Sequence, residues 1–423
     1  MSGSFQRSDQ AQRLDAIEGR MDPWLLLIFA VLAAFGLVMV ASSSVAVAEG
    51  FKVGETYFVA RHAFFLLAGA GLAAVLVRTE LRWIEQRSQW LLIACFVLLG
   101  AVYLPGLGYS VNGARRWINV GVSNFQVVEA VKLLLIVWLA SYLKRYYSEL
   151  QQSWRAMLKP IGVLIAMVVF LLMQPDFGSA MLLCSVVGGM LILGGVSLPR
   201  LLAPVLIGLP MLAMVAISES YRIRRLTSFL DPWADPFKDG FQLTQALIAI
   251  GRGEWFGVGL GASVQKLFYL PEAHTDFILA VIAEELGFAG VMLVIALYAG
   301  FAGRAFWIGL RAIELRRLFS AYCAFGVALW IGLQALVSIG VNLGVLPTKG
   351  LTLPLISSGG SSVLMTCAAI GLLLRVSLEL DRAERKVARV RADLADEAEF
   401  SPITIPGKAL SRRRREPTLG AAA

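Results

Sequence analysis

The sequence predicts an all-α, polytopic integral membrane protein of ten transmembrane helices, with a long periplasmic loop between spans 7 and 8. Composition is the first reason. Of 423 residues, 58% are hydrophobic and 16% charged, and the mean hydropathy of +0.72 is too high for a soluble globule of this size. The second reason is that apolar runs long enough to cross about 30 Å of hydrocarbon recur from Trp24 onward, and lipid-exposed backbone satisfies itself as helix. The third is the placement of Arg and Lys, which mark alternate ends of successive runs.

In chain order, a polar tail of residues 1–22 with Arg7, Arg13 and Arg20 precedes a first span at 23–43. Ala46-Val47-Ala48 mimics a signal-peptidase site, but the apolar stretch is too long for a cleaved signal and reads as an uncleaved anchor. Further spans are expected near 58–77, 90–104, 127–143, 160–173, 177–195, 201–217, 277–301, 318–341 and 353–374. An even number puts both termini on one side. With the amino terminus in the cytoplasm, the inner segments hold Arg78, Arg82 and Arg87, then Lys144, Arg145, Arg155 and Lys159, then Arg200, then Arg304, Arg311, Arg316 and Arg317. The short outer loops hold far fewer, which is the positive-inside pattern and puts Asp276 on the outer face. The expected plan is a tail at 1–22, a membrane domain at 23–376 with its periplasmic loop at 219–275, and a basic cytoplasmic tail at 377–423. That last tail reads as a short amphipathic helix, then Ser401-Pro402 and the run Arg412 to Arg415.

The net charge of +9 does not point to nucleic acid, because the positives line membrane edges. Cys95, Cys184, Cys323 and Cys367 fall in separate apolar runs without metal or redox spacing and read as small core residues. Gly251, Gly253, Gly257, Gly259 and Gly261 follow no strand and are no dinucleotide fingerprint; they read as turns and close packing in a membrane-hugging lid.

The chain is organised around residues 271–287, where the longest non-apolar loop meets a span carrying carboxylates. On a continuous helix from Asp276, Glu284 and Glu285 lie about 12 Å deeper, and acids inside a bilayer are costly enough to suggest function. Four outer segments carry polar groups that topology does not require, and they are expected to converge. The first holds Arg115, Arg116 and Trp117, either an interfacial anchor or a trap for phosphate or carboxylate, and leads into Gln126, Glu129 and Lys132. Glu129 and Lys132 share a helix face and can pair. A buried Lys132 also needs a carboxylate from elsewhere, for which Glu284 is the expected partner and Glu129 the rival. The second is 174–179, where Pro175 ends one helix and Asp176 suits the cap of the next. The third is the loop 219–275, opened by Arg222, Arg224 and Arg225, turned at 231–236 and including an amphipathic piece at 241–250. The fourth is 346–362, whose prolines and glycines prevent a regular helix and free backbone amides beside Lys349.

At Asn112-Gly113-Ala114-Arg115-Arg116-Trp117-Ile118, Gln174-Pro175-Asp176-Phe177-Gly178, residues 271–286 and residues 346–362, the sequence resembles the SEDS family of bacterial shape, elongation, division and sporulation proteins. Thr348-Lys349-Gly350-Leu351-Thr352-Leu353-Pro354 is similar to its division branch. The resemblance implies a peptidoglycan glycosyltransferase that polymerises lipid II, an undecaprenyl-pyrophosphate disaccharide-pentapeptide, during septal cell-wall synthesis. It further implies a class B penicillin-binding transpeptidase and other division-machinery membrane proteins as partners, in the bacterial cytoplasmic (inner) membrane.

By the same resemblance Asp276 is the catalytic residue, and Arg116 and Trp117 occupy the family's Arg-Trp loop. Arg115, Gln126, Glu129, Lys132, Asp176, His274, Lys349 and Ser361 complete the expected substrate site, with Glu284 and Glu285 as intramembrane charges. Two departures stand out: Val127-Val128 between Gln126 and Glu129, and Ser358 where the family has tyrosine. Joining two sugars needs a base for the acceptor hydroxyl and positive charge for the departing pyrophosphate. The residues name no certain cofactor, and a divalent cation (Mg or Mn) at the pyrophosphate stays open. A lipid II flippase, suggested by Lys132, Glu284 and Glu285, and a non-catalytic division scaffold are the alternatives.

Overall fold

The computed structural model describes residues 19–111, 113–121, 124–217, 220–267 and 269–400. Arg7, Arg13, Asn112, Glu219, Ser401-Pro402 and Arg412 to Arg415 lie outside the described residues, as does the side chain of Arg222. Residues 19–381 form one compact unit. Of a second, made of residues 1–18 and 382–423, the described part (382–400) is helical.

Helix α1 is Pro23–Gly50. Asp22 caps it by accepting the Leu25 N–H at 3.0 Å, and Pro23 sits where no intrahelical donor is needed. The helix runs past the expected end at Ser43, so Ala46-Val47-Ala48 lies within it, with Ala46 and Ala48 buried. Helices α2 (Tyr57–Arg78), α3 (Leu81–Gln86) and α4 (Ser88–Ala101) follow. The chain then departs from the all-α expectation. Strands β1 (Gly108–Val111), β2 (Ala114–Asn119) and β3 (Asn124–Gln126) form a small antiparallel sheet in that order.

Helices α5 (Val127–Arg145), α6 (Tyr147–Gln152), α7 (Trp154–Met173), α8 (Phe177–Leu193) and α9 (Leu198–Ile217) continue the bundle. The loop at 219–275 is not without structure: it holds α10 (Ser220–Leu230) and α11 (Phe241–Gly253), the latter on the expected amphipathic piece. Helices α12 (Ile278–Glu314), α13 (Leu318–Asn342) and α14 (Gly360–Phe400) complete the described chain. Among the described residues, six helices are long and apolar enough to cross a membrane: α1, α2, α7, α12, α13 and the part of α14 to Asp393.

Helix α13 packs against α12, α5 and α8. Trp330, Tyr322 and Phe325 on it are among the largest wholly buried side chains. Helix α12 is interrupted: Gly287 has φ 67° and ψ −163°, which separates a short helical piece at 278–286 from the longer one after it. Residues 343–359, between α13 and α14, are irregular, as their prolines and glycines require.

Candidate active site

The site is built where residues 274–277, the sheet, the start of α8 and the segment 346–359 meet. Its backbone is fixed first. The carbonyls of three successive residues are each held by a donor: His274 by the Ser358 N–H at 2.9 Å, Thr275 by the Ser357 hydroxyl at 2.7 Å, and Asp276 by the Asn342 amide at 2.9 Å. The contact at Ser358 is made by main chain, so it does not depend on the side chain that replaces the family's tyrosine. The Asn342 Oδ1 accepts the Ala280 N–H at 3.2 Å, meeting an orphan donor of the short piece 278–286. The N-cap position belongs to Phe277, one residue past Asp276. The cap that Asp276 could have supplied thus comes from another helix.

The Asp276 carboxylate faces the turn at Gly350, where an added Cβ would stand 3.3 Å from Oδ2. Burial, reinforced by the Glu272 carboxylate and opposed by the Arg116 and Arg225 guanidiniums, pushes its pKa up to about 7. Glu272 takes a left-handed backbone, φ 57°, and its carboxylate accepts the Thr275 hydroxyl at 2.5 Å. His274 packs edge-on against Phe58 at 5.1 Å, and burial holds its pKa below the usual imidazole value.

Arg116 is the extra residue of a bulge in β2, since Tyr109 pairs with Trp117 and Ser110 with Arg115, so it leaves the regular alternation of the strand. Arg116 Nη1 lies 3.8 Å from Asp176 Oδ1, whereas Arg115 is exposed. Trp117 pairs in register with Gln126, whose N–H is received by the Ser361 hydroxyl at 2.9 Å. Asp176 does cap α8, accepting from the Ser179 N–H at 3.1 Å and its hydroxyl at 2.8 Å. Lys349 reaches across to the Phe177 ring, 4.5 Å from its centroid. Beside them is a cleft of about 270 Å³ lined by apolar side chains of α8 and α13, with Leu346, Pro347, Lys349 and Leu351 at one wall.

The expected pairing of Lys132 with Glu284 is not what forms. Lys132 Nζ is 2.8 Å from Glu129 Oε1 and 2.7 Å from Gln334 Oε1, and it stands over the Trp330 ring. Gln334 also receives the Trp330 N–H and donates to the Thr352 carbonyl at 2.9 Å, so this buried pair braces the 346–359 segment. Glu284 and Glu285 turn instead toward residues 252–266, because the break at Gly287 lets that segment fold against the piece that carries them. Glu284 pairs with Arg252 at 3.1 Å and Glu285 with Lys266 at 2.7 Å. The two acids are therefore structural neighbours of the loop rather than members of the Asp276 cluster.

Gln334, Ser338 and Asn342 recur at one-turn spacing on α13, a polar stripe that the sequence displays, in which Gln334 holds Lys132 and Asn342 holds the 276–280 turn. Among the described residues, no group of three or more His, Cys, Asp or Glu side chains converges to hold a metal ion.

Residues 23–382 match the family model of FtsW, RodA and SpoVE, described as cell cycle proteins. The chain belongs to this family. A probable peptidoglycan glycosyltransferase FtsW of Xanthomonas oryzae pv. oryzae is 62% identical over 378 residues, covering 89% of this chain and 77% of that protein. Another of that name from Thioalkalivibrio sulfidiphilus is 48% identical over 384 residues, 90% of this chain and 96% of that one. Among solved structures, the rod shape determining protein RodA of Thermus thermophilus is similar with a TM-score of 0.62 and 29% identity, over 84% of this chain and 96% of that one. A chain of a peptidoglycan synthase complex, studied for the coordination of polymerization and crosslinking, gives 0.69 and 29%, over 85% and 98%. Membership of the FtsW/RodA/SpoVE family, with the membrane-length helices above, makes this a multi-pass membrane protein.

Proposed function

We propose that this protein is a peptidoglycan glycosyltransferase that polymerises lipid II into glycan strands for septal wall synthesis, with Asp276 as general base. The observation that carries the assignment is the state of Asp276. Its cap role is taken by Asn342 and its carboxylate stands at the Gly350 turn close to Arg116, while burial raises its pKa to about 7, a range suited to a general base. In this mechanism Asp276 takes the proton from the acceptor hydroxyl as that oxygen attacks the donor carbon bearing the pyrophosphate. The C–O bond to the pyrophosphate breaks, and the configuration inverts without a covalent enzyme intermediate. Arg116 and Lys349 are the cations at hand for the leaving anion, and the apolar cleft beside Lys349 suits a prenyl chain. A divalent cation at the pyrophosphate would draw on the carboxylates of this cluster, such as Asp276, Glu272 or Asp176, and would supply further positive charge for the leaving anion.

In the same proposal the chain spans the membrane ten times with both termini in the cytoplasm. The site then faces the periplasm at the septum, and a class B penicillin-binding transpeptidase and other division proteins dock alongside. Loop charge supports this orientation. A flippase is disfavoured by the partnering of the intramembrane charges, since Lys132, Glu284 and Glu285 each end in a local ion pair. The deciding experiment is polymerisation of lipid II by the purified protein with its transpeptidase partner, comparing the native chain with Asp276→Asn. Glycan from the native chain and essentially none from the folded variant is expected. Lipid II movement without glycan would favour the flippase, and normal growth with Asp276→Asn would favour the scaffold.

A further inference from the structure

A break inside a membrane-length helix leaves carbonyls and N–H groups without intrahelical partners, and such groups must be met by protein. At Gly287 they are met by residues 254–259. The Val258 and Gly259 N–H groups reach the Glu284 and Glu285 carbonyls at 2.9 and 3.1 Å. The Phe288 and Ala289 N–H groups reach the Glu254 and Trp255 carbonyls at 2.8 and 3.1 Å. The fit admits no side chain: a Cβ on Gly257 would strike the Glu285 carbonyl, and one on Gly287 the Gly257 nitrogen.

The carboxylates of the same two residues bind the next stretch of that loop. Glu284 accepts from Arg252 at 3.1 Å, from the N–H groups of Val264 and Gln265 at 3.0 and 3.3 Å, and from the Ser263 hydroxyl. Glu285 accepts from Lys266 at 2.7 Å and from the Ser42 hydroxyl of α1 at 2.6 Å. Lys266 also donates to Ser42 and to the Gly261 carbonyl. Both carboxylates are wholly buried, and each oxygen is engaged.

We propose that Glu284 and Glu285, with Arg252, Ser263, Lys266 and Ser42, are positioning residues that clamp the far end of the helical piece 278–286 and so aim Asp276. The inference rests on the catalytic role proposed for Asp276. The geometry makes the piece a lever. At its other end three carbonyls are pinned, and between the two ends lies about 13 Å of helix. A tilt of about 5° in the piece strains or shifts that pinned end by about 1 Å, so the contacts at 274–276 keep their geometry only while the clamp holds the piece's direction, and misplacement on that scale costs about 10²-fold in rate.

The test uses the full-length protein with its transpeptidase partner. Lys266→Met alone leaves Glu285 charged and buried, so the main variant is Lys266→Met with Glu285→Gln, which removes both charges; Lys266→Arg is the conservative control. Three quantities are measured per folded molecule: kcat and KM for lipid II, and hydrogen exchange at Val258, Gly259, Phe288 and Ala289. The expected result is a kcat lower by about 10- to 100-fold with KM within about 3-fold, faster exchange at those four amides, and recovery of both in Lys266→Arg. Native kcat in the folded double variant overturns the clamp, as does a loss of activity that tracks only the loss of folded protein. Asp276→Asn in the same assay keeps the two claims apart. Glycan made by Asp276→Asn overturns the role of Asp276, whereas an inactive Asp276→Asn beside a fully active double variant overturns the clamp alone.

Discussion

Carboxylates stand at both ends of the helical piece 278–286, Asp276 just before it and Glu284 and Glu285 at its far end, and the two ends differ in how those carboxylates are satisfied. Glu284 and Glu285 are fully buried and saturated by Arg252, Lys266, two hydroxyls and backbone N–H groups. Asp276, just before the piece begins, is half-buried, has its cap duty taken by Asn342, and sits near a second carboxylate, Glu272. Partnering, more than burial, separates them. An acid whose lone pairs are all committed holds structure, while one raised in pKa beside the Gly350 turn and relieved of capping is suited to move a proton.

The largest expected effect is on Asp276 itself. Asp276→Asn should lower glycan synthesis by about 10² to 10⁴-fold in a lipid II assay while leaving the protein folded. The sign of linkage adds a check. A folded-state pKa raised from 3.8 to about 7 means that the native state binds more protons than the unfolded one in that window, so Asp276 costs stability as pH rises through it. Thermal melting should show Asp276→Asn gaining on the native protein between pH 4 and pH 7. Melting curves that stay parallel would remove the contrast between the two ends.

At the other end the expectation reverses. Glu285→Gln strands the Lys266 charge in a buried site and should destabilise by about 3–5 kcal/mol, read by denaturation in detergent. Arg116 and Arg115 offer the next contrast. Arg116→Ala should cost about 10²-fold in rate if it faces the departing anion, whereas Arg115→Ala, at an exposed position, should change stability by no more than about 0.5 kcal/mol.

The pH–rate profile sharpens the comparison further. Activity should rise with pH through about 7, and Glu272→Gln should move that rise to lower pH by removing a neighbouring negative charge. The smallest effect is a predicted absence. Lys132 and Glu284 should behave additively in a double-mutant cycle, within about 0.5 kcal/mol, because each has its own partner elsewhere.

Much of the candidate site was legible as a cluster because its residue types are expensive where they stand. Positives beside Trp117, a carboxylate at the edge of a span and a Pro- and Gly-rich stretch before the last helix each ask for an explanation in a chain this apolar. The small sheet was missed, although Asn112-Gly113 is a hairpin signal and Gly113 has the positive φ such turns need. That omission kept Arg115 and Arg116 together, whereas the bulged strand turns Arg116 toward Asp176 and leaves Arg115 exposed. The stripe of Gln334, Ser338 and Asn342 was equally visible at one-turn spacing but passed as part of an apolar run.

By itself, the sequence determined the membrane class, the apolar runs that became helices, the cap at Asp176 and the cluster around Asp276, because hydropathy, propensity and burial cost act locally or on average. Tertiary structure alone decided which charge met which. Nothing in residues 278–286 says that the helix stops at Gly287, since a lone glycine is tolerated inside a helix until another segment arrives to take up the freed backbone groups. Once residues 254–266 fold into that break, Glu284 and Glu285 are claimed by Arg252 and Lys266, and Lys132 is left to Glu129 and Gln334. Pairing of buried charges is settled by proximity across the fold, which spacing along the chain does not encode.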